Sequence, residues 1–327
     1  MWQHFEIAGT GVGLPAAAVT AEEVDARCDR PPGWTRDRTG VLTRYECRPP
    51  ETLAGLASAA IAGAMADAGV GWGDVDLLID GSTCRYQHIP CNAAYLLHHT
   101  GAAAGVPGMD VHGTCLGFML GLNVANGLFA TGTHRHIVLV CAETPLARVN
   151  WRDPESAGLF GDGAGAVVLK RAEPTRTYGF AQQNFAEFRD ACQIRGGGML
   201  QQPETYTPET DADFRFAMDG PRLVMAAIKH LPPLVDDLLD RHDTPRDNLY
   251  VIPHQAAPRA MEILRRRLRF QAERFHDKVA EFGNMVSASV PFMLHQCRTD
   301  GTIRPGDRVL LLGTSAGYSQ AGLVFRL

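Results

Sequence analysis

The chain has 327 residues, 45% of them hydrophobic and 20% charged, with a formal net charge of −5. That length allows two domains or one large fused unit with a sizeable core. The acidic balance gives no reason to expect nucleic acid as a partner. No apolar run approaches the ~20 residues of a membrane span. The opening residues Met1 to Glu6 lack a basic region ahead of an apolar one, so a cytoplasmic protein without a secretory signal or a membrane partner is expected. The eight cysteines are scattered without a CxxC pair, which argues against zinc and against a disulfide framework.

In chain order, a strand begins at Phe5-Glu6-Ile7-Ala8. The following Gly9-Thr10-Gly11-Val12-Gly13 resembles a dinucleotide loop only superficially, because the third glycine is misplaced and Pro15 stands where a helix should open. Thr20-Ala21-Glu22-Glu23 is a capping box for a short helix. Residues 31–40 read as a loop, with Trp34 suited to stacking and Arg38 to pairing with phosphate. Leu53, Leu56, Ala57, Ala60, Ile61 and Met65 recur at helical spacing, giving a helix over 51–69. A strand at 75–80, a helix at 91–100, a strand at 108–112, a helix at 115–131 and a strand at 136–142 follow. The glycine-rich turn 160–165 leads to a strand at 166–170. Residues 171–218 are expected to hold one strand near 178–181 and an excursion over the surface. A helix at 221–241, interrupted by Pro232-Pro233, precedes a strand at 249–252 and a helix at 257–269.

The second half repeats the first. Leu78 and Val251 are 173 positions apart, Ile137 and Val309 are 172 apart, and Cys115 and Asn284, each expected to open a helix, are 169 apart. Near-constant offsets across like elements suggest two copies of one α/β unit, 1–170 and 171–327. Apolar runs such as 309–312 point to parallel or mixed sheets covered on both faces.

Within this frame Cys115 follows a strand and opens a helix. Unpaired N–H groups and the helix dipole favour negative charge there, so the thiol is expected to ionise more easily than a free one, whose pKa is roughly 8.5. The plainer alternative is a buried structural cysteine. His254 follows the strand at 249–252, and Asn284 stands at the matching helix start. Strand ends and helix starts of such folds meet in one crevice, so the three are expected to share a pocket. His88, His98, His99 and His112 lack carboxylate or cysteine partners at ligand spacing, so no metal site is expected.

These segments resemble the ketoacyl-acyl-carrier-protein synthase III family of the thiolase superfamily. The resemblance runs through Trp34-Thr35-Arg36-Asp37-Arg38-Thr39-Gly40, His112-Gly113-Thr114-Cys115-Leu116-Gly117, Phe160-Gly161-Asp162-Gly163-Ala164-Gly165, Pro253-His254-Gln255-Ala256 and Gly283-Asn284-Met285-Val286-Ser287-Ala288-Ser289-Val290-Pro291. It implies a thiolase-like fold, two α/β halves in five layers (α-β-α-β-α). It also implies that Cys115 takes up an acyl group from a CoA or phosphopantetheine thioester, with no other cofactor. The oxyanion donors would be the Cys115 backbone N–H and one from Ala316 or Gly317. His254 and Asn284 would stabilise the enolate left when a malonyl-type thioester loses carbon dioxide. Trp34, Arg38 and Phe282 would contact substrate, with simple core packing an equal alternative for Phe282. Ile89 would close the acyl pocket of a homodimer partner, and Arg259 would dock an acyl-carrier protein. The other arginines of that helix, Arg265, Arg266, Arg267 and Arg269, read equally well as a solvated face.

Departures from the family pattern are the reduced glycine content of Ser315-Ala316-Gly317, Ala257 in place of an asparagine, and a missing arginine near Asp153-Pro154. They suggest a specialised member handling longer or unusual acyl chains. Rival readings are a papain-like protease, a catalytically idle partner subunit, acyl transfer to oxygen or nitrogen, and head-to-head joining of two acyl chains. Intact Cys115, His254 and Asn284 argue against the idle subunit. Asn284 favours carbon–carbon bond formation over simple transfer.

Overall fold

A computed structural model describes residues 1–327. Strand β1 (Gln3–Gly13) is followed by β2 (Ala17–Thr20) and α1 (Ala21–Arg27), where the Thr20–Glu23 capping box forms as expected. Then come α2 (Trp34–Thr39), β3 (Thr43–Glu46), α3 (Leu53–Ala68), β4 (Leu77–Asp80), α4 (Asn92–His99) and β5 (Gly108–Asp110). α5 (Gly117–Ala130), β6 (His136–Glu143), the single turn α6 (Pro154–Ala157) and β7 (Gly163–Thr175) follow. The remaining chain forms β8 (Gly179–Asn184), β9 (Cys192–Gln193), β10 (Ala217–Met218), α7 (Gly220–Arg241) and β11 (Leu249–Pro253). It ends with α8 (Pro258–Arg267), α9 (Val279–Phe282), α10 (Ser289–Thr299), β12 (Arg308–Ser315) and β13 (Ser319–Arg326).

The apolar strands satisfy their backbone groups in two mixed sheets, ordered β1-β7-β6-β4-β5 and β11-β12-β13-β8. In each, a parallel pair (β4 with β6, β11 with β12) adjoins antiparallel partners. An isolated parallel bridge from Val251 to Phe275 stands where a fifth strand of the second sheet belongs. The duplication read in the sequence is therefore present in four strands of each sheet, with the fifth of the second copy reduced to a single bridge.

Alternating side chains build the layers. Ile137, Leu139 and Cys141 of β6 face the central core with α5 and α10, while Val138, Val140 and Ala142 pack towards α3. Val309 and Leu311 of β12 enter the same central core, and Leu310 and Leu312 pack towards α7. The result is five layers, α-β-α-β-α. Full burial of one such Val, Leu or Ile stabilises by about 1.5–3 kcal/mol, and the shared core joins the halves into one unit.

Four local expectations are corrected. Gly9, Gly11 and Gly13 belong to β1, not to a loop. Their missing Cβ atoms leave room for the Ala64, Ala60 and Leu56 carbonyls of α3, so these glycines serve close strand–helix packing. Residues 34–39 form helix α2, not a loop. Its amides at Gly33 and Thr35 donate to the Asp25 carboxylate, each at 2.7 Å, a cap borrowed from α1. α7 runs unbroken through Pro232 and Pro233, held by buried Leu231, Leu234, Val235 and Leu238.

The fourth concerns the helix starts. Cys115 lies in a 3-10 turn, Thr114–Leu116, just ahead of α5, and its counterpart Val286–Ala288 precedes α10. Thr114 (φ 47°) and Val286 (φ 48°) share a left-handed backbone, and 114 to 286 is the same offset of 172 found for Ile137 and Val309. Ser287, not Asn284, is the structural counterpart of Cys115.

Candidate active site

β11 ends at Pro253, and the next amide extends the ladder: His254 N–H donates to Leu312 O at 2.7 Å. The buried Gln255 pins the turn. Its Oε1 accepts from Lys278 N–H at 2.9 Å and its Nε2 donates to Pro253 O at 2.8 Å. Asn284 is fixed through its backbone: its N–H donates to Leu159 O at 2.8 Å and its carbonyl accepts from Gly161 N–H at 3.2 Å. Its side-chain Oδ1 accepts from Val286 N–H at 2.8 Å. That bond engages the amide oxygen, and Nδ2 donates to Ala256 O at 3.3 Å. Cys115, His254 and Asn284 all line one cavity of about 1770 Å³, so the expected convergence is present.

Burial dominates the electrostatics. The Cys115 thiol is pushed up to about 12, first by burial and then by the neighbouring Cys192 and Glu143. The Ser315 hydroxyl and Ala316 backbone N–H act the other way. The expectation of an easily ionised thiol is thus reversed: loss of solvation outweighs the helix start. Burial also lowers His254 to about 4, opposed by a backbone contact with Val286. The imidazole is neutral at pH 7, and its buried Nδ1 has no protein partner.

Among the other expected contacts, Ala316 faces the thiol and lines the cavity. Gly317 lies one residue further round the turn, away from the lining. Arg38 is at the cavity wall but is ion-paired, Nε to Glu155 Oε1 at 2.8 Å. Trp34 is outside the cavity, with the Arg30 guanidinium 5.6 Å from its ring. Phe282 is not in the lining either. It stacks on Tyr45 at 5.8 Å and packs against Phe292 at 4.8 Å, so the core-packing alternative holds. Ile89 is 85% exposed and is not part of this chain's own cavity lining. Arg259 reaches the cavity wall from α8, with Nη2 donating to Asp37 O at 2.5 Å. Arg265 and Arg266 are both ion-paired to Glu262, leaving Arg259 as the arginine of α8 that lines the cavity.

The stretch 186–218 is more than a surface excursion. Cys192, Phe214, Phe216 and Met218 line the cavity, with Met218 paired to Cys192 in the β9–β10 hairpin. The alternation of Phe214, Phe216 and Met218 was the available sequence signal.

Comparison with known proteins agrees with this geometry. The family profile for 3-oxoacyl-[acyl-carrier-protein (ACP)] synthase III matches residues 109–185, and that for its C-terminal region matches residues 239–327. The chain is 31% identical over 317 residues to beta-ketoacyl-[acyl-carrier-protein] synthase III 3 of Streptomyces coelicolor, covering 96% of this chain and 94% of that one. It superposes on 3-oxoacyl-[acyl-carrier-protein] synthase III of Aquifex aeolicus with a TM-score of 0.89 at 25% identity, covering 99% of this chain and 100% of the other. The priming beta-ketosynthase of the R1128 polyketide pathway superposes with a TM-score of 0.88 at 26% identity, over 99% and 96%. The two profile matches and these full-length relatives and superpositions place the chain in the 3-oxoacyl-[acyl-carrier-protein] synthase III family.

Proposed function

We propose that this ketosynthase III-type acyltransferase loads an acyl group on Cys115 and then extends it by decarboxylative Claisen condensation with a malonyl-type thioester, in fatty-acid or polyketide synthesis. The Cys115 sulfur attacks the thioester carbonyl, its proton leaves with the departing thiol, and the transient oxyanion is met by the Cys115 and Ala316 N–H groups. The malonyl thioester then enters. As carbon dioxide leaves, the enolate oxygen takes hydrogen bonds from neutral His254 and Asn284 Nδ2. The carbanion attacks the acyl carbonyl, and Cys115 departs as a thiolate that takes up a proton from water to restore the thiol. Neither enolate donor has to give up a charge first. The single observation that supports this reading is the convergence of Cys115, His254 and Asn284 on one cavity, with the Asn284 oxygen engaged by Val286 N–H so that its Nδ2 is the donor end.

The cavity exceeds the ~300–1,000 Å³ of ordinary ligand sites, which supports an acyl chain longer than acetyl beside a pantetheine arm. Arg259, at the wall, is the proposed contact for an acidic carrier protein. The exposed Ile89 is the proposed closing residue of a homodimer partner's pocket. A cytoplasmic setting suits both kinds of thioester donor.

Asn284→Ala tests the reading. It is expected to accept an acyl group on Cys115 at close to the wild-type rate, seen by intact mass. It is also expected to lose condensation by about a hundredfold or more, the scale of removing one oxyanion-type donor. Undiminished condensation by this variant would favour simple acyl transfer.

A further inference from the structure

Strand β3 carries a charged side chain in an unusual setting. Arg44 is completely buried, and burial lowers it to about 10, which still leaves it a cation at neutral pH. No carboxylate forms an ion pair with it; Glu46 is taken by Arg27 and Arg48 instead. Its protein partners are two backbone carbonyls: Nη1 donates to Ala157 O at 3.0 Å and to Phe160 O at 3.3 Å, while Nε and Nη2 have none. A buried cation without a counter-charge costs stability.

What it grips explains its place. The 157–160 segment is one side of the bridge that fixes Asn284, through Leu159 O and Gly161 N–H. β3 holds the other side as well. Leu42 N–H donates to Ala280 O at 2.7 Å, Thr43 Oγ1 donates to Glu281 O at 2.6 Å, and the Tyr45 ring stacks on Phe282. The two segments touch so closely that a Cβ on Gly161 would strike the Phe282 carbonyl.

We propose that Arg44 is a positioning residue for Asn284: with its neighbours on β3 it clamps the two chain segments whose backbone bridge aims the Asn284 amide into the cavity. The inference rests on the proposed role of Asn284 in stabilising the enolate. A role in general stability would weaken acylation and condensation together. A role through Asn284 separates them, because loading of Cys115 does not use the enolate donors.

The test follows acyl loading from octanoyl-CoA by intact mass, and carbon dioxide release and condensation with malonyl-pantetheine, in wild type, Arg44→Met, Arg44→Lys and Asn284→Ala. Arg44→Met is expected to load Cys115 within about twofold of wild type. It should lose carbon dioxide release and condensation by about a hundredfold, the scale of misplacing a catalytic group by about 1 Å. Arg44→Lys, which keeps a cationic donor, is expected to recover part of that loss. Wild-type condensation by Arg44→Met, or equal loss of loading and condensation, overturns the proposal. Undiminished carbon dioxide release by Asn284→Ala instead overturns the reading of the site on which it rests. Should Arg44→Met fail to fold, Thr43→Val removes the bond to Glu281 O from the opposite side of the clamp. It is expected to reduce condensation while sparing loading, and no separation of the two in that variant also overturns the proposal.

Discussion

A thiol poorly solvated by its surroundings keeps its proton until substrate arrives, and Cys115 is such a thiol. Because it is pushed up to about 12, its thiolate fraction at neutral pH is very small and grows with every rise in pH. Alkylation of Cys115 by iodoacetamide is therefore expected to accelerate about tenfold per pH unit between roughly pH 7 and 9, without a plateau. A plateau below about pH 8.5 would show a thiol acidified by the helix start instead. His254 shifts in the opposite sense, down to about 4. It is already neutral well below its ordinary range, so the condensation rate is expected to show no acid limb near pH 6.5. At this scale the sequence was informative wherever a residue's role follows from its own motif. Cys115, His254 and Asn284 each sit in a short motif of their own, and their convergence on one cavity was legible. Phe282, Trp34 and Gly317 were not, because Tyr45, Arg30 and the exact path of a turn decide where they point. The half-buried Cys192 beside Cys115 had no local signal.

At the scale of elements, periodicity carried most of the information. The apolar positions of α3 and of strands β6 and β12 are the buried ones. The misreadings arose where a distant group completes an element. α2 is capped by Asp25 from another helix, and α7 survives its prolines because its apolar face is buried. The glycines of β1 were legible as special but not as packing devices, since only α3 shows what they avoid. Gly11→Ala is expected to cost about 1–3 kcal/mol, the range for overpacking a filled core. That should lower the unfolding temperature by several degrees in a thermal melt. Gly73→Ala, where a Cβ meets nothing within 4 Å, serves as the control and is expected to leave the melt within about 1 °C, as a surface change away from packed features does. Equal melts for the two variants would remove the close-packing explanation.

The whole molecule is a duplicated α/β unit folded around one central helical layer, and the site exists only because both halves meet there. The first half supplies Cys115. The second supplies His254, Asn284, Ala316 and the β9–β10 hairpin over the cavity. The two-copy architecture was legible from the repeat offset, although the pairing of Cys115 with Asn284 was off by three positions. The size of the cavity was not legible, because much of its lining comes from residues 192–218, which lack a strong pattern of their own. The account centres on Cys115 as the residue that carries the acyl group. The most direct measurement is intact mass after incubation with a series of acyl-CoA and acyl-carrier donors from acetyl to palmitoyl. The expected result is a single acyl increment, stronger for chains longer than acetyl and lost in Cys115→Ala. No increment with any donor, or one that persists in Cys115→Ala, would contradict it.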